Sequence, residues 1–395
     1  MKGFVGIDAE QEANTLFYLS IIRSTKKLTR KYIMSEIPRD TAEAPTFQQA
    51  DFEKITQLVA AEFQIQEALM EYGTPTYYLV WPQETKQAFL RLLKKLEEMK
   101  LIAFLRKADG RIVLKIAPKP PVKPSNSRTN WILLLATALT TFVTGYFTFP
   151  PEAGINPLIS GAIFSASILT VLGVHEMGHK LTANKKQIEA TSPYFIPGPP
   201  PLGTLGAVIM QKSLPPNKDA LFDIGANGPI AGFIVAMIFS AVGMLLLIPA
   251  PRPPDSAELN LIPVSWILLT RFFSAVNLMP QAPPNGVLLL HPITYAGWAG
   301  MIVTMLNLLP AAMLDGGHVA RSIAGDKLRS ILTIASILLL LLAGTQFIVM
   351  AFLVVFMSTI KHPGPLDDVS SLSKNRKLLI IAIVTVFLLS FPISA

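Results

Sequence analysis

The chain has 395 residues, 51% of them hydrophobic and 15% charged, with mean hydropathy +0.46 and a formal net charge of +8. Charge that sparse, against ~25% in soluble domains, excludes a wholly water-soluble protein and points to an integral membrane protein with a smaller polar part. The absence of cysteine excludes disulfides and Cys-based zinc sites, so a metal would have to be held by His, Asp or Glu.

The basic residues gather at the ends of apolar segments, as positive-inside anchors do, and no nucleic-acid partner is expected. Residues 1–120 differ from the rest. Glu10–Arg23, Phe47–Tyr72 and Glu84–Met99 have the apolar spacing of amphipathic helices. Thr76–Val80 reads as a strand, and Leu101–Lys107 and Arg111–Ile116 flank the hairpin turn Asp109-Gly110. The prediction is a small α+β domain for substrate docking or regulation, preceded by no secretory signal: the first ten residues are too short and too acidic for one. Residues 121–130 belong to a basic, proline-rich linker.

From residue 131 onward the pattern is that of a membrane domain. Spans are predicted at Trp131–Phe149, Pro157–Ala183, Leu221–Pro249, Ile293–Ala324, Ile331–Ile360 and Leu378–Ile393. Lys119, Lys123 and Arg128 place the N-terminal domain on the cytoplasmic side of the cell membrane. Gln187–Lys212, with Pro197-Gly-Pro-Pro-Pro-Leu-Gly203 at its centre, reads as two extended pieces around a turn, and Trp266–Met279, interrupted by Arg271, as an interfacial or re-entrant helix. Ile331–Ile360 is taken as one tilted helix, giving about six crossings. A hairpin there would suit the following Lys374, Arg376 and Lys377, but the stretch is short for two crossings.

The chemistry is concentrated in His175-Glu-Met-Gly-His179. On a helix the two histidines face one way, one turn apart, and can share a Zn²⁺, while Glu176 stands beside them to take a proton from water. Ionisable residues at the end of an apolar span are costly, which marks them as functional. A third ligand is sought among Asp223, Asp315, His291 and His318. Depth favours Asp315: His179 precedes Lys185 by six residues and Asp315 precedes Arg321 by six, so each lies ~9 Å above its basic anchor. His318 is assigned to support Asp315 or to cap, His291 to the far interface, and Asp223 to cap the third span. Pro310 breaks or kinks the fourth span.

Together with Leu309–Gly316, Asn307 and the small-residue run Gly225–Gly232, these motifs resemble the site-2 protease family of intramembrane zinc metalloproteases, nearest its archaeal and chloroplast branch. The resemblance covers residues 155–325. It implies zinc on His175, His179 and Asp315, with Glu176 as general base, and peptide hydrolysis by zinc-activated water within transmembrane protein substrates in the bilayer. Asn307, with Asn227, is the expected hydrogen-bond donor to the substrate backbone or oxyanion. Gly206 and Val208 lie on an extended edge suited to an unwound substrate. The alternatives are a non-catalytic membrane scaffold and a metal-binding transporter; no internal repeat supports the latter.

Overall fold

The computed structural model describes residues 49–121, 127–149, 154–251, 261–360 and 362–394. The helix expected at Glu10–Arg23 and the middle of the linker lie outside these residues.

The polar part folds as α1 (Gln49–Ala60), β1 (Ile65–Glu71), β2 (Thr74–Leu79), α2 (Lys86–Glu97), β3 (Leu101–Ala108) and β4 (Arg111–Pro118), its antiparallel sheet ordered β1-β2-β4-β3. The single helix expected over Phe47–Tyr72 is corrected: it stops at Ala60 and residues 65–71 are a strand. Tyr72 (φ 51°) and Gly73 (φ 74°) form a left-handed two-residue turn, which matches strand twist and forces 65–71 back along β2. Asp109 (φ 50°) and Gly110 (φ 78°) make the same turn between β3 and β4, as their sequence predicts. Ile55 and Val59 of α1 and Phe89, Leu92 and Leu96 of α2 pack on Tyr77, Leu105, Leu114 and Ile116 of the sheet.

Among the described residues, three helices are long and apolar enough to cross a membrane by length and composition: α3 (Ser127–Thr148), α4 (Pro157–Lys185) and α5 (Lys218–Leu245). Asn156 caps α4 by accepting from the Leu158 N–H, with Pro157 in the first turn. α3 and α4 pack closely enough that a Cβ on Gly161 would lie 2.8 Å from the Phe142 carbonyl oxygen. α5 is capped by Asn217, whose side chain accepts from the Ala220 N–H. That corrects the capping role expected of Asp223, whose carboxylate is instead gripped by Arg376 (2.6 Å at each oxygen) and Lys186 (2.8 Å).

Between α4 and α5 the chain forms an antiparallel hairpin, β5 (Tyr194–Pro197) with β6 (Thr204–Val208), extended by the Ala190–Gln211 bridge. β5 packs along α3, where Asn130 donates to the Ser192 and Pro193 carbonyls and Thr140 to that of Gly203. Beyond α5, β7 (Ile248–Pro251) pairs with β9 (Gly286–Leu289). β8 (Leu261–Pro263) leads into the short apolar α6 (Val264–Ala275), within the stretch where a helix is expected over Trp266–Met279.

The fourth predicted span is not one helix. α7 (Pro292–Leu308) ends before Pro310, and α8 (Asp315–Ala343) starts after it. Pro310 lacks the N–H that an unbroken helix needs. α8 itself reverses at Ala324 (φ −137°) and Gly325 (φ 76°). Thr333 and Arg329, beyond that bend, return to hydrogen-bond the Ala312 N–H and carbonyl. The single tilted helix expected over Ile331–Ile360 is also corrected. Gly344 (φ 126°) divides it, and a 3-10 turn, Thr345–Phe347, leads into α9 (Ile348–Ser358). α9 packs back on α8 through Leu340, Phe347, Ala351 and Val354, so Met357 lines the same cavity as Asp315. An unbroken helix of that length would run ~45 Å one way. α10 (Lys374–Ser390) follows, and β10 (Pro392–Ser394) closes on β8. The N-terminal sheet and the C-terminal strand thus lie at opposite ends of the helical part: Lys86 pairs with Asp219 at the start of α5 (3.0 Å), while β10 pairs beyond its far end.

Candidate metal centre and active site

His175 and His179 project from the second half of α4, 3% and 5% exposed. Their Nε2 atoms are 3.1 Å apart, and Asp315 Oδ2, at the first residue of α8, lies 3.2 Å from each. Asp315 follows the N-cap residue Leu314; its carboxylate faces the histidines. His179 Nδ1 sits 2.8 Å from the Ile224 carbonyl oxygen. A carbonyl only accepts, so that nitrogen carries the ring proton and Nε2 presents a bare lone pair. A lone pair facing a carboxylate oxygen at 3.2 Å is repulsive, and either a proton on Nε2 or a metal cation between the two atoms relieves it.

The close approach of three backbones makes the triangle possible. A Cβ at Gly228 would lie 2.1 Å from His179 Nε2, one at Gly232 3.0 Å from His175 Nδ1, and one at Gly225 2.6 Å from the Asp315 carbonyl oxygen. The small residues of α5 are therefore the floor on which α4 and the start of α8 meet. Gly316 and Gly317 similarly abut the carbonyls of Leu308 and Ala311.

Glu176, 5% exposed, offers its carboxylate within 4.8 Å of both imidazoles and faces the backbone of Ile209. A cavity of about 180 Å³ opens over this group, lined in part by Val208, Asn307, His318 and Met357. Of the other residues singled out in the sequence, Gly206 lies opposite Ile196 in β6 and does not line the cavity. Asn227 does not either: its amide donates to Thr182 Oγ1 (2.8 Å), holding α5 to α4. His291 caps α7, its Nδ1 accepting from the Ile293 N–H.

His362 went unread in the sequence. It is 3% exposed, and its Nε2 lies 2.8 Å from His318 Nδ1. Burial, with His318, Arg329 and Arg321 nearby, pushes its pKa down to about 3, so the ring is neutral. Its only sequence signal was that it is one of five histidines, in a loop beside Pro363-Gly364.

A His-Glu-x-x-His helix closed by an aspartate from a proline-broken helix is a donor set that can hold one metal ion beside a carboxylate base. The model of "Peptidase family M50" matches residues 163–351. The chain is similar to "Probable zinc metalloprotease EGY1, chloroplastic" of Oryza sativa subsp. japonica, 31% identical over 266 residues that cover 64% of this chain and 45% of that protein. The Arabidopsis thaliana protein of the same name is 29% identical over 262 residues (64% and 48%). "Probable zinc metalloprotease EGY2, chloroplastic" of Arabidopsis thaliana is 28% identical over 261 residues (62% and 45%). The chain thus spans a little under half the length of these curated relatives. No solved structure matches it.

Proposed function

We propose that the protein is an intramembrane zinc metalloprotease that hydrolyses peptide bonds in transmembrane segments of protein substrates. The observation that carries this reading is the donor triangle. Tetrahedral zinc bonded at ~2.0–2.1 Å sets its ligand atoms about 3.3 Å apart, and His175 Nε2, His179 Nε2 and Asp315 Oδ2 stand 3.1–3.2 Å from one another. Two imidazoles and one carboxylate form a donor set that would hold zinc, and the cavity beside them would give water and substrate access to it. The chemistry zinc supplies in such a site is Lewis acidity, which acidifies water and polarises the scissile carbonyl.

Glu176 takes the proton from the attacking water and returns it to the departing amine. The Ile224 carbonyl holds the His179 ring in the tautomer that offers Nε2. Asn307 lines the cavity, which supports its assignment as a donor to the substrate backbone. A helical substrate must unwind before its carbonyl can be attacked, and unpaired peptide groups in lipid cost several kcal/mol each. β6 is one strand of a two-stranded hairpin, with Leu205, Val208 and Met210 exposed, and its edge offers the released groups new partners.

The N-terminal domain lies at the end bearing Lys185, Lys186, Lys218 and Arg376, which the positive-inside rule assigns to the cytoplasmic side. The opposite placement of β10 supports an odd number of passes instead of six, because the Gly344 hairpin adds one. Residues 1–120 are assigned to substrate docking or regulation.

The test is full-length protein in bilayers with a transmembrane model peptide. Zinc-loaded protein should cleave the peptide, and removal of zinc should abolish cleavage until the metal is restored. Metal-independent cleavage, or no zinc bound, overturns the reading.

A further inference from the structure

Resting on the hydrolytic reading above, we propose that His318 is a catalytic residue whose Nε2–H donates a hydrogen bond to the scissile carbonyl oxygen, and that His362 is the positioning residue that fixes its tautomer.

The argument starts from a backbone amide. The Gly364 N–H can only donate, and it meets His362 Nδ1 at 2.9 Å, so that nitrogen is bare. A neutral imidazole then carries its proton on Nε2. That atom faces His318 Nδ1 at 2.8 Å and must be the donor there, which leaves His318 Nδ1 bare in turn. The proton of His318 is therefore on Nε2. Among the described residues this Nε2 makes no hydrogen bond, nor is it one of the sealed, unpartnered polar atoms. His318 lines the cavity over the metal ligands, and it stands one turn after Asp315 on the same helix face. An oriented N–H donor thus opens onto the space where the substrate carbonyl must lie.

The relay is held firmly at both ends. The Cβ of His318 rests on α5, where a Cβ at Gly225 would come within 2.9 Å of it. The loop carrying His362 is fixed through Arg321, which packs against Gly364 and pairs with both oxygens of Asp368 (3.0 and 2.6 Å). The same loop is hydrogen-bonded to β3: the Leu105 N–H donates to the Leu366 carbonyl (3.0 Å) and the Asp368 N–H to that of Leu105 (3.1 Å).

The role follows from the charge flow. As the water oxygen bonds to the carbonyl carbon, the C=O π pair moves onto the carbonyl oxygen. It returns when the C–N bond breaks and the amine leaves with the proton from Glu176. His318 keeps its own proton throughout; its N–H stabilises the transient negative charge. One such donor is worth about 10²–10³-fold in kcat.

The experiment uses zinc-loaded full-length protein in bilayers with a transmembrane model peptide, plus ¹⁵N-histidine labelling, which five histidines make assignable. In the unsubstituted protein the His318 resonances should report a bare Nδ1 and a protonated Nε2. His362→Leu should replace this pattern with a tautomer mixture and lower kcat. His318→Leu should lower kcat about 10²-fold with KM and zinc content unchanged, and His318→Gln, whose amide N–H reaches a similar point, should recover much of the loss. A protonated Nδ1 on His318 overturns the proposal, as does wild-type turnover by zinc-bound His318→Leu, or a Gln variant no better than Leu. If His318→Leu does not fold, the Gln variant and the tautomer spectrum decide. Wild-type protein that binds zinc without cleaving anything fails the hydrolytic reading and, with it, the catalytic role; the tautomer assignment is judged separately from the spectrum.

Discussion

Replacing Gly228 by alanine tests whether the metal site depends on helix contact. The added Cβ would lie 2.1 Å from His179 Nε2 and 2.4 Å from Cε1, whereas unbonded heavy atoms settle ~3.5–4.0 Å apart. The ring must retreat by more than about 1 Å, yet it is buried and tied through Nδ1 to Ile224, so Nε2 leaves the triangle. Helix propensity pulls the other way, since alanine is favoured over glycine by ~1 kcal/mol in a helix interior. The fold should therefore survive while the site suffers. Overpacking typically costs about 1–3 kcal/mol, which, charged against zinc binding at 1.4 kcal/mol per decade, weakens affinity roughly 5- to 150-fold. At Gly232 the new Cβ would be 3.0 Å from His175 Nδ1, a clash relieved by a few tenths of an ångström, so Gly232→Ala should lose only a few-fold. Zinc retention against a graded chelator series, with circular dichroism as the check on folding, measures both. Wild-type affinity in Gly228→Ala, or a larger loss in Gly232→Ala, would refute this account of the helix contact.

Asp315→Ala should lose most bound zinc while melting at nearly the wild-type temperature; stoichiometric zinc in that variant would remove Asp315 from the metal. Glu176→Gln should keep its zinc and lose at least about 10²-fold in turnover, an assignment that undiminished cleavage would end. Ile209 faces Glu176 with its backbone, and strand periodicity turns the Ala207 N–H to the same edge. Ala207→Pro should therefore impair cleavage of transmembrane peptides without releasing zinc, and normal cleavage would exclude strand addition at β6 as the capture mode.

Much of the site was legible because its chemistry is local. A helical i, i+4 spacing brings His175 and His179 together whatever surrounds them. The depth count to Asp315, whose carboxylate lies 3.2 Å from both histidines, rests on a narrower regularity: the break at Leu309–Leu314 lies before Asp315, and the six residues to Arg321 are helical. What stayed hidden depended on single backbone torsions. The left-handed turn at Tyr72-Gly73 makes a strand of a segment with helical spacing, and Gly344 folds one apolar stretch into a hairpin, two reversals that periodicity does not register. His362 could not be placed because its partner is 44 residues earlier in the chain and reached only through that hairpin. Asn227 misled for another reason: a polar side chain among small residues was read as facing the substrate, but it serves helix packing.

The way the N-terminal domain is attached bears on what it does to the site. β3 is the outer strand of the sheet, and an open strand edge invites pairing. Here Leu366–Asp368 covers it around Leu105, and the Leu366 and Asp367 N–H groups in turn donate to the Pro215 and Pro216 carbonyls (2.8 and 3.0 Å). Three distant segments thus continue one ladder from the polar domain into the membrane part. Two of them lead within a few residues to the site: Gln211, which lines the cavity, precedes Pro215 by four positions, and His362, bonded to His318, precedes Leu366 by four. Lys86 and Arg376 share Asp219 across the same junction. A domain held only by its linker could shift without disturbing the helices. This one is hydrogen-bonded to the loop that sets the His318 ring and to the strand that ends at the cavity, so a ligand that reorients the sheet must also move both. Coupling of that kind favours regulation over passive docking as the role of residues 1–120.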